Sequence, residues 1–209
     1  MNVKLQALIS LIKTDFSDFE IKSKKDSLFM RILAKLLFFN QRFSTDFITT
    51  IGTTIYVPNL EWLDNDPDIV FSTLSHEYIH MLDRKTYGRF AFSLSYLSPQ
   101  VFFLLGFVHP LSFLCLLPFP SPMRTHWELR GYSMTLASSM LLTPGLEPSI
   151  DWIIEQFTSS NYYWMFPYSN YIRIFLESEI ARIKSGNLNP TEQKIKKLLD
   201  ELSNVSLPK

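Results

Sequence analysis

Cysteine is almost missing from this chain. Cys115 is the only one in 209 residues, so no disulfide can close within it, and a reducing compartment is the expected setting. Glycine is scarce as well, with six residues, too few for the many tight turns of an all-β sandwich. Net charge is absent: 20 Lys and Arg face 20 Asp and Glu. That balance leaves no electrostatic footprint for nucleic acid and no polybasic membrane anchor. Residues 91–123 contain no Asp, Glu, Lys or Arg. The N-terminus, MNVKLQALISLIKTDF, has a short apolar run that ends at Lys13 and lacks a small-residue cleavage site. It is expected to be an amphipathic helix and not a signal peptide. The expected location is cytoplasmic, with a peripheral membrane position as the second choice.

What is present reads as one domain over 1–209, mostly helical with a small sheet, an α+β architecture. Apolar residues at helical spacing predict helices over 3–14 and 26–42, the second capped by Asp26. Residues 47–57, FITTIGTTIYV, are β-branched and aromatic and predict a strand that Pro58 ends. A helix from about 67 to about 87 follows, with Asp66 as N-cap, Pro67 in its first position and Gly88 as its stop. Ser121-Pro122 starts another, running to about Leu142. Helices near 148–158, 170–184 and 190–203 complete the chain, with an aromatic loop over 161–170. The core is expected over about 45–142, with helical additions at 1–42 and 147–203.

The chemistry concentrates in the helix after the strand. Histidine occurs only four times, and two of the four stand in His76-Glu77-Tyr78-Ile79-His80, which has the form H-E-x-x-H. Residues four apart share one helical face, so two imidazoles there can converge on one Zn²⁺. Glu77 projects beside them as general base for a metal-activated water. A catalytic zinc takes a third protein ligand and keeps one position open. A third histidine six residues after His80 is excluded, because that position is Thr86. Glu128, in Trp127-Glu128-Leu129-Arg130-Gly131-Tyr132, is the best candidate, since Gly131 one turn later lets two helices approach. His126 and then His109 are its rivals.

A strand, a helix carrying H-E-x-x-H and a later helix giving Glu before a small residue together resemble the gluzincin metallopeptidases, over roughly residues 45–140. The resemblance implies a zincin-like fold with its sheet packed on the motif helix, Zn²⁺ held by His76, His80 and Glu128, Glu77 as base, and peptide or protein substrates. It also implies that the strand ending near Tyr56 is the edge along which a peptide lies. Tyr132 stands where many members place Asp to orient a ligand histidine. Its hydroxyl, or Asp83 one turn after His80, is the candidate for that task. Tyr132, Tyr162, Tyr163 and Tyr168, with His109 and His126 behind them, are candidates for stabilising an oxyanion. The competing readings are a zincin-like scaffold that keeps its metal as structure, and hydrolysis of a non-peptide amide.

Within 91–123, VFFLLGFV (101–108) and LSFLCLL (111–117) are divided by His109-Pro110. A single membrane crossing is excluded, because it would put His80 and Glu128 on opposite sides of the bilayer. A buried helical hairpin is expected over 101–117, ahead of a membrane-dipping one.

Overall fold

The computed structural model describes residues 2–36, 43–117, 119–162 and 164–205. Eight α-helices and three strands are found among them: α1 (Val3–Asp15), β1 (Glu20–Ser23), α2 (Leu28–Leu36), β2 (Thr49–Ile51), β3 (Thr54–Val57), α3 (Pro67–Tyr87), α4 (Arg89–Leu97), α5 (Pro122–Leu142), α6 (Asp151–Thr158), α7 (Ser169–Lys184) and α8 (Pro190–Val205). The molecule is predominantly helical with one small sheet, as the sequence predicts. Of the helix expected over 26–42, residues 37–42 lie outside the described residues. Ser27 caps its start in place of Asp26, its Oγ accepting from the Met30 amide at 3.3 Å.

The expected strand over 47–57 is in fact a hairpin. It turns at Gly52-Thr53, where Gly52 takes φ 72°, and β2 pairs antiparallel with β3, Thr50 opposite Ile55. A strand the sequence did not announce, β1, pairs parallel on the other side, Ile21 opposite Ile55. The order is therefore β1-β3-β2. Tyr56 lies on the central strand, and the expectation that its strand is the free edge is corrected: β2 is the edge toward α3.

Helices α3 and α5 are the central pair. The Asp66 side chain caps α3 through the amides of Asp68 and Ile69, and Pro122 opens α5. On one side of the pair, Ile55 and Val57 pack with Val70, Phe71, Leu74 and Tyr78, and the same cluster takes Leu5 and Leu8 from α1 and Ile195 from α8. On the other side, Leu129, Tyr132 and Leu136 of α5 pack with Ile153 and Phe157 of α6 and Ile172 and Leu176 of α7. The terminal helices are thus part of the core and not additions to it. Asp15 of α1 accepts hydrogen bonds from the buried Tyr78 hydroxyl and from Lys194 of α8.

The apolar stretch departs most from expectation. Residues 89–97 form α4, and Gln100–Phe107 and Pro110–Leu116 form two 3₁₀ helices. Those two pack on each other, and most of their side chains are exposed, so the expected buried hairpin is not there. No single helix among the described residues is long and apolar enough to cross a membrane.

Candidate metal centre

His76 and His80 project from consecutive turns of α3 toward α5, where Glu128 faces them. All three are buried. The Nε2 atoms lie 3.0 Å apart, and Glu128 Oε2 stands 3.4 Å from His76 Nε2 and 3.8 Å from His80 Nε2. Ligand atoms about 2.0–2.1 Å from a tetrahedral zinc are separated by roughly 3.3–3.4 Å, and the three observed separations straddle that value. Glu128 Oε2 is buried without a hydrogen-bond partner. A carboxylate oxygen so placed is costly unless a cation completes it. The donor set therefore fits a divalent ion of the zinc type, and no fourth His, Cys, Asp or Glu joins the group among the described residues.

Gly131 makes this approach possible. A Cβ built there would fall 2.5 Å from His76 Nε2 and 2.6 Å from its Cε1. The imidazole occupies the space that any other residue would fill.

The candidate ligands His76 and Glu128 are oriented by groups on two helices, α5 and α4. His76 Nδ1 lies 3.3 Å from Thr135 Oγ1, and that hydroxyl donates to the Gly131 carbonyl. The Thr135 oxygen is then open to accept from His76 Nδ1–H, the tautomer that would leave the Nε2 lone pair for a metal. Tyr132, the expected orienting group, packs its ring edge-on against His76 at 4.8 Å, and its hydroxyl donates to Tyr162 at 3.4 Å. Asp83 is buried but does not orient His80. It accepts a two-pronged pair from Arg130, 2.9 and 2.7 Å, which clamps α3 to α5. His80 Nδ1 has no hydrogen-bond partner.

Tyr96 of α4 had no signal in the sequence. Its hydroxyl donates to Glu128 Oε1, fixing the carboxylate so that Oε2 faces the imidazoles, and its ring lies 5.9 Å from that of His80. Arg124, one turn before Glu128, is sandwiched between the rings of Tyr96 and Tyr162 at 5.3 and 5.2 Å. These contacts arise only in the folded state, so motif spacing carries no trace of them.

The electrostatics follow from this crowding. Burial works against ionising Glu128, but the two imidazoles outweigh it and hold the carboxyl well below its ordinary range. Burial likewise disfavours the His80 imidazolium, yet Glu128 draws its pKa upward. Burial raises the Tyr96 and Tyr162 hydroxyls well above their usual value, with Glu128 adding to both. Both therefore keep their protons.

Glu77 stands outside the ligand group and is only half-buried. Its Oε2 accepts from Thr50 Oγ1 at 2.6 Å, so the carboxylate is tethered to the edge strand β2. Of the rival ligands, His126 is exposed, packs against Trp127 at 4.9 Å and lines a cavity between α5 and α7. His109 is exposed between the two 3₁₀ helices. Tyr168 packs against Phe166 at the surface, and Tyr163 lies outside the described residues. Comparison with protein-family models, curated proteins and solved structures finds no match for this chain.

Proposed function

We propose that this chain is a zinc-dependent metallopeptidase of the gluzincin kind, with His76, His80 and Glu128 as ligands and Glu77 as general base. The observation that carries the reading is the convergence of three buried ligand atoms from α3 and α5, one of them a carboxylate oxygen with no other partner. Three protein ligands leave a tetrahedral ion one open position, which favours catalysis over a purely structural site. When bound, zinc supplies Lewis acidity, lowering the pKa of water toward about 7 and polarising a carbonyl.

The chain's own groups do the rest. Glu77 takes a proton from the attacking water and passes it to the leaving nitrogen. Thr50 holds that carboxylate beside the sheet. The free side of β2 offers backbone groups to an extended peptide, which makes α3, α5 and the sheet a zincin-like arrangement. Tyr162 accepts from Tyr132 and has its own proton to donate to a developing oxyanion.

The test pairs two variants. Glu77→Gln should retain zinc at wild-type affinity but cleave fluorescein-labelled casein about a hundredfold more slowly, because an amide accepts no proton from water. Glu128→Ala should lose zinc in a chelator titration. Wild-type cleavage by the Glu77 variant, or full zinc retention by the Glu128 variant, refutes the assignment.

A further inference from the structure

The two 3₁₀ helices after α4 form a unit of their own. A Cβ at Gly106 would fall 2.7 Å from the Phe113 ring, so Phe113 of the second helix seats directly against the backbone of the first. Phe107 and Phe113 meet edge-on, 6.1 Å between ring centres. Around that contact the outer surface is apolar on nearly every side. Phe107 is 84% exposed, Val108 87% and Leu111 67%, and Leu104, Leu105 and Leu114 are exposed as well.

We propose that this hairpin, residues 100–117, is a monotopic membrane insert that enters the hydrocarbon of one leaflet of a lipid bilayer. Three observations select lipid over a protein partner. First, a helix that docks on protein shows one apolar stripe with polar flanks, and protein interfaces have a polar rim and regular hydrogen bonding. Here the apolar surface continues from helix to helix, in a stretch with no charged residue between Arg89 and Arg124. Second, backbone amides bond within the hairpin. Phe102 donates to Pro99, Val108 to Leu105, Ser112 to His109 and Leu117 to Leu114, at 2.9–3.0 Å. Amides paired within the segment in this way lower the cost of entering hydrocarbon. Third, the size matches one leaflet. The helices are eight and seven residues long. At ~2.0 Å per residue neither exceeds about 16 Å, against roughly 15 Å for half of the ~30 Å hydrocarbon core. The hairpin reaches the midplane and returns, so α4 and α5 stay on one side, as a shared site built from His80, Tyr96 and Glu128 requires. The inference does not depend on the metal or on hydrolysis.

The full chain is tested by flotation with zwitterionic phosphatidylcholine vesicles. Wild type should float with the vesicles and continue to do so at about 1 M NaCl, where the Debye length is about 3 Å, because apolar burial and not charge holds it. Phe107→Asp with Val108→Asp, both at exposed positions, should weaken binding about tenfold or more while the melting temperature is kept. Cys115, the only cysteine, lies in the second helix and takes a fluorophore without further mutation. Its emission should be quenched more by nitroxides on the acyl chain than by nitroxides on the headgroup. The proposal is overturned if wild type stays in the aqueous fraction, or if the double variant floats as well as wild type. It is equally overturned if headgroup nitroxides quench better. A stoichiometric dimer in lipid-free buffer that the double variant converts to monomers, without vesicle binding by wild type, would assign the surface to a second copy of the chain.

Discussion

Gly131 decides more of the metal centre than its size suggests. A methyl group there would overlap His76 Nε2, the atom that would face an ion, and the imidazole is hemmed in by Tyr132 on one side and His80 on the other. It cannot swing aside without losing its hydrogen bond to Thr135. Gly131→Ala should therefore leave the helix intact, since alanine is the better helix former by roughly 0.8–1.0 kcal/mol, yet reduce zinc affinity. A loss of about tenfold or more is expected, in the range found when the groups that orient ligands are disturbed. Competition with a chromophoric chelator measures it, and unchanged affinity would mean that His76 is not a ligand. The sequence places Gly131 one turn after Glu128, and that spacing alone points to a close helix approach. It does not tell that an imidazole fills the gap. Orienting groups are harder still to read, because Thr135 and Tyr96 act through contacts that neither spacing nor residue type announces.

Elements were legible in proportion to their local signals. Helices α3 and α5 begin at Asp66-Pro67 and Ser121-Pro122, where proline in the first turn marks a start independently of tertiary context; Asp66 also caps α3, whereas the Ser121 hydroxyl caps nothing and donates to the Ser98 carbonyl. The strand β1 is four residues, Glu20–Ser23, with a single apolar side chain, and only pairing with β3 makes it a strand. The hairpin at Gly52 was hidden because β2 and β3 are both rich in Thr and Ile, so the composition runs through the turn. The hairpin over 100–117 shows a different limit, since hydropathy is the same whether a side chain faces a protein core or lipid. Helices α7 and α8 are joined by chemistry the sequence leaves unpaired. Arg182 bridges Glu179 at 2.9 Å and the buried Glu192 at 2.6 Å, and Ser133 of α5 donates to Glu179. Burial tends to raise the Glu179 pKa, but Arg182 and Ser133 outweigh it and hold it below the ordinary 4.5. A carboxylate with a lowered folded pKa binds fewer protons than it does in the unfolded chain. Its contribution to stability is complete above 4.5 and disappears as pH falls through the folded value. Urea denaturation from about pH 7 to about pH 3 should show stability falling more steeply in wild type than in Glu179→Gln. Parallel curves would mean that the network carries no such linkage.

At the scale of the whole molecule, the candidate metal centre lies across a seam. Helix α3 and the sheet belong to one hydrophobic cluster, while Leu129, Tyr132 and Leu136 of α5 belong to the other. His76 and His80 come from the first side of that seam, and Glu128 lies on the helix that lines the second. Three direct ties already join α3 to α5 near the ligands: the Arg130–Asp83 pair, the contact of Ser72 with Ser139 at 3.1 Å and that of His76 with Thr135 at 3.3 Å. An ion held by both helices would add a fourth, and the unfolded chain, with its ligands scattered, would bind it weakly. Ligand binding to the native state alone stabilises by RT ln(1 + [L]/Kd), about 2.7 kcal/mol at a free concentration of a hundred times Kd. For a chain of this length each kcal/mol moves the melting temperature by about 2–4 °C, so zinc should raise it by roughly 5–11 °C over the chelator-treated protein. The rise should grow with the logarithm of free zinc above Kd, and His76→Ala should abolish it. Glu77→Gln should keep it whole, since Glu77 touches Thr50 and lies outside the ligand group. Calorimetry under buffered free zinc decides the matter. A shift that survives in His76→Ala would place the ion elsewhere, and a shift lost in Glu77→Gln would make Glu77 a ligand and remove the base from the proposed reaction.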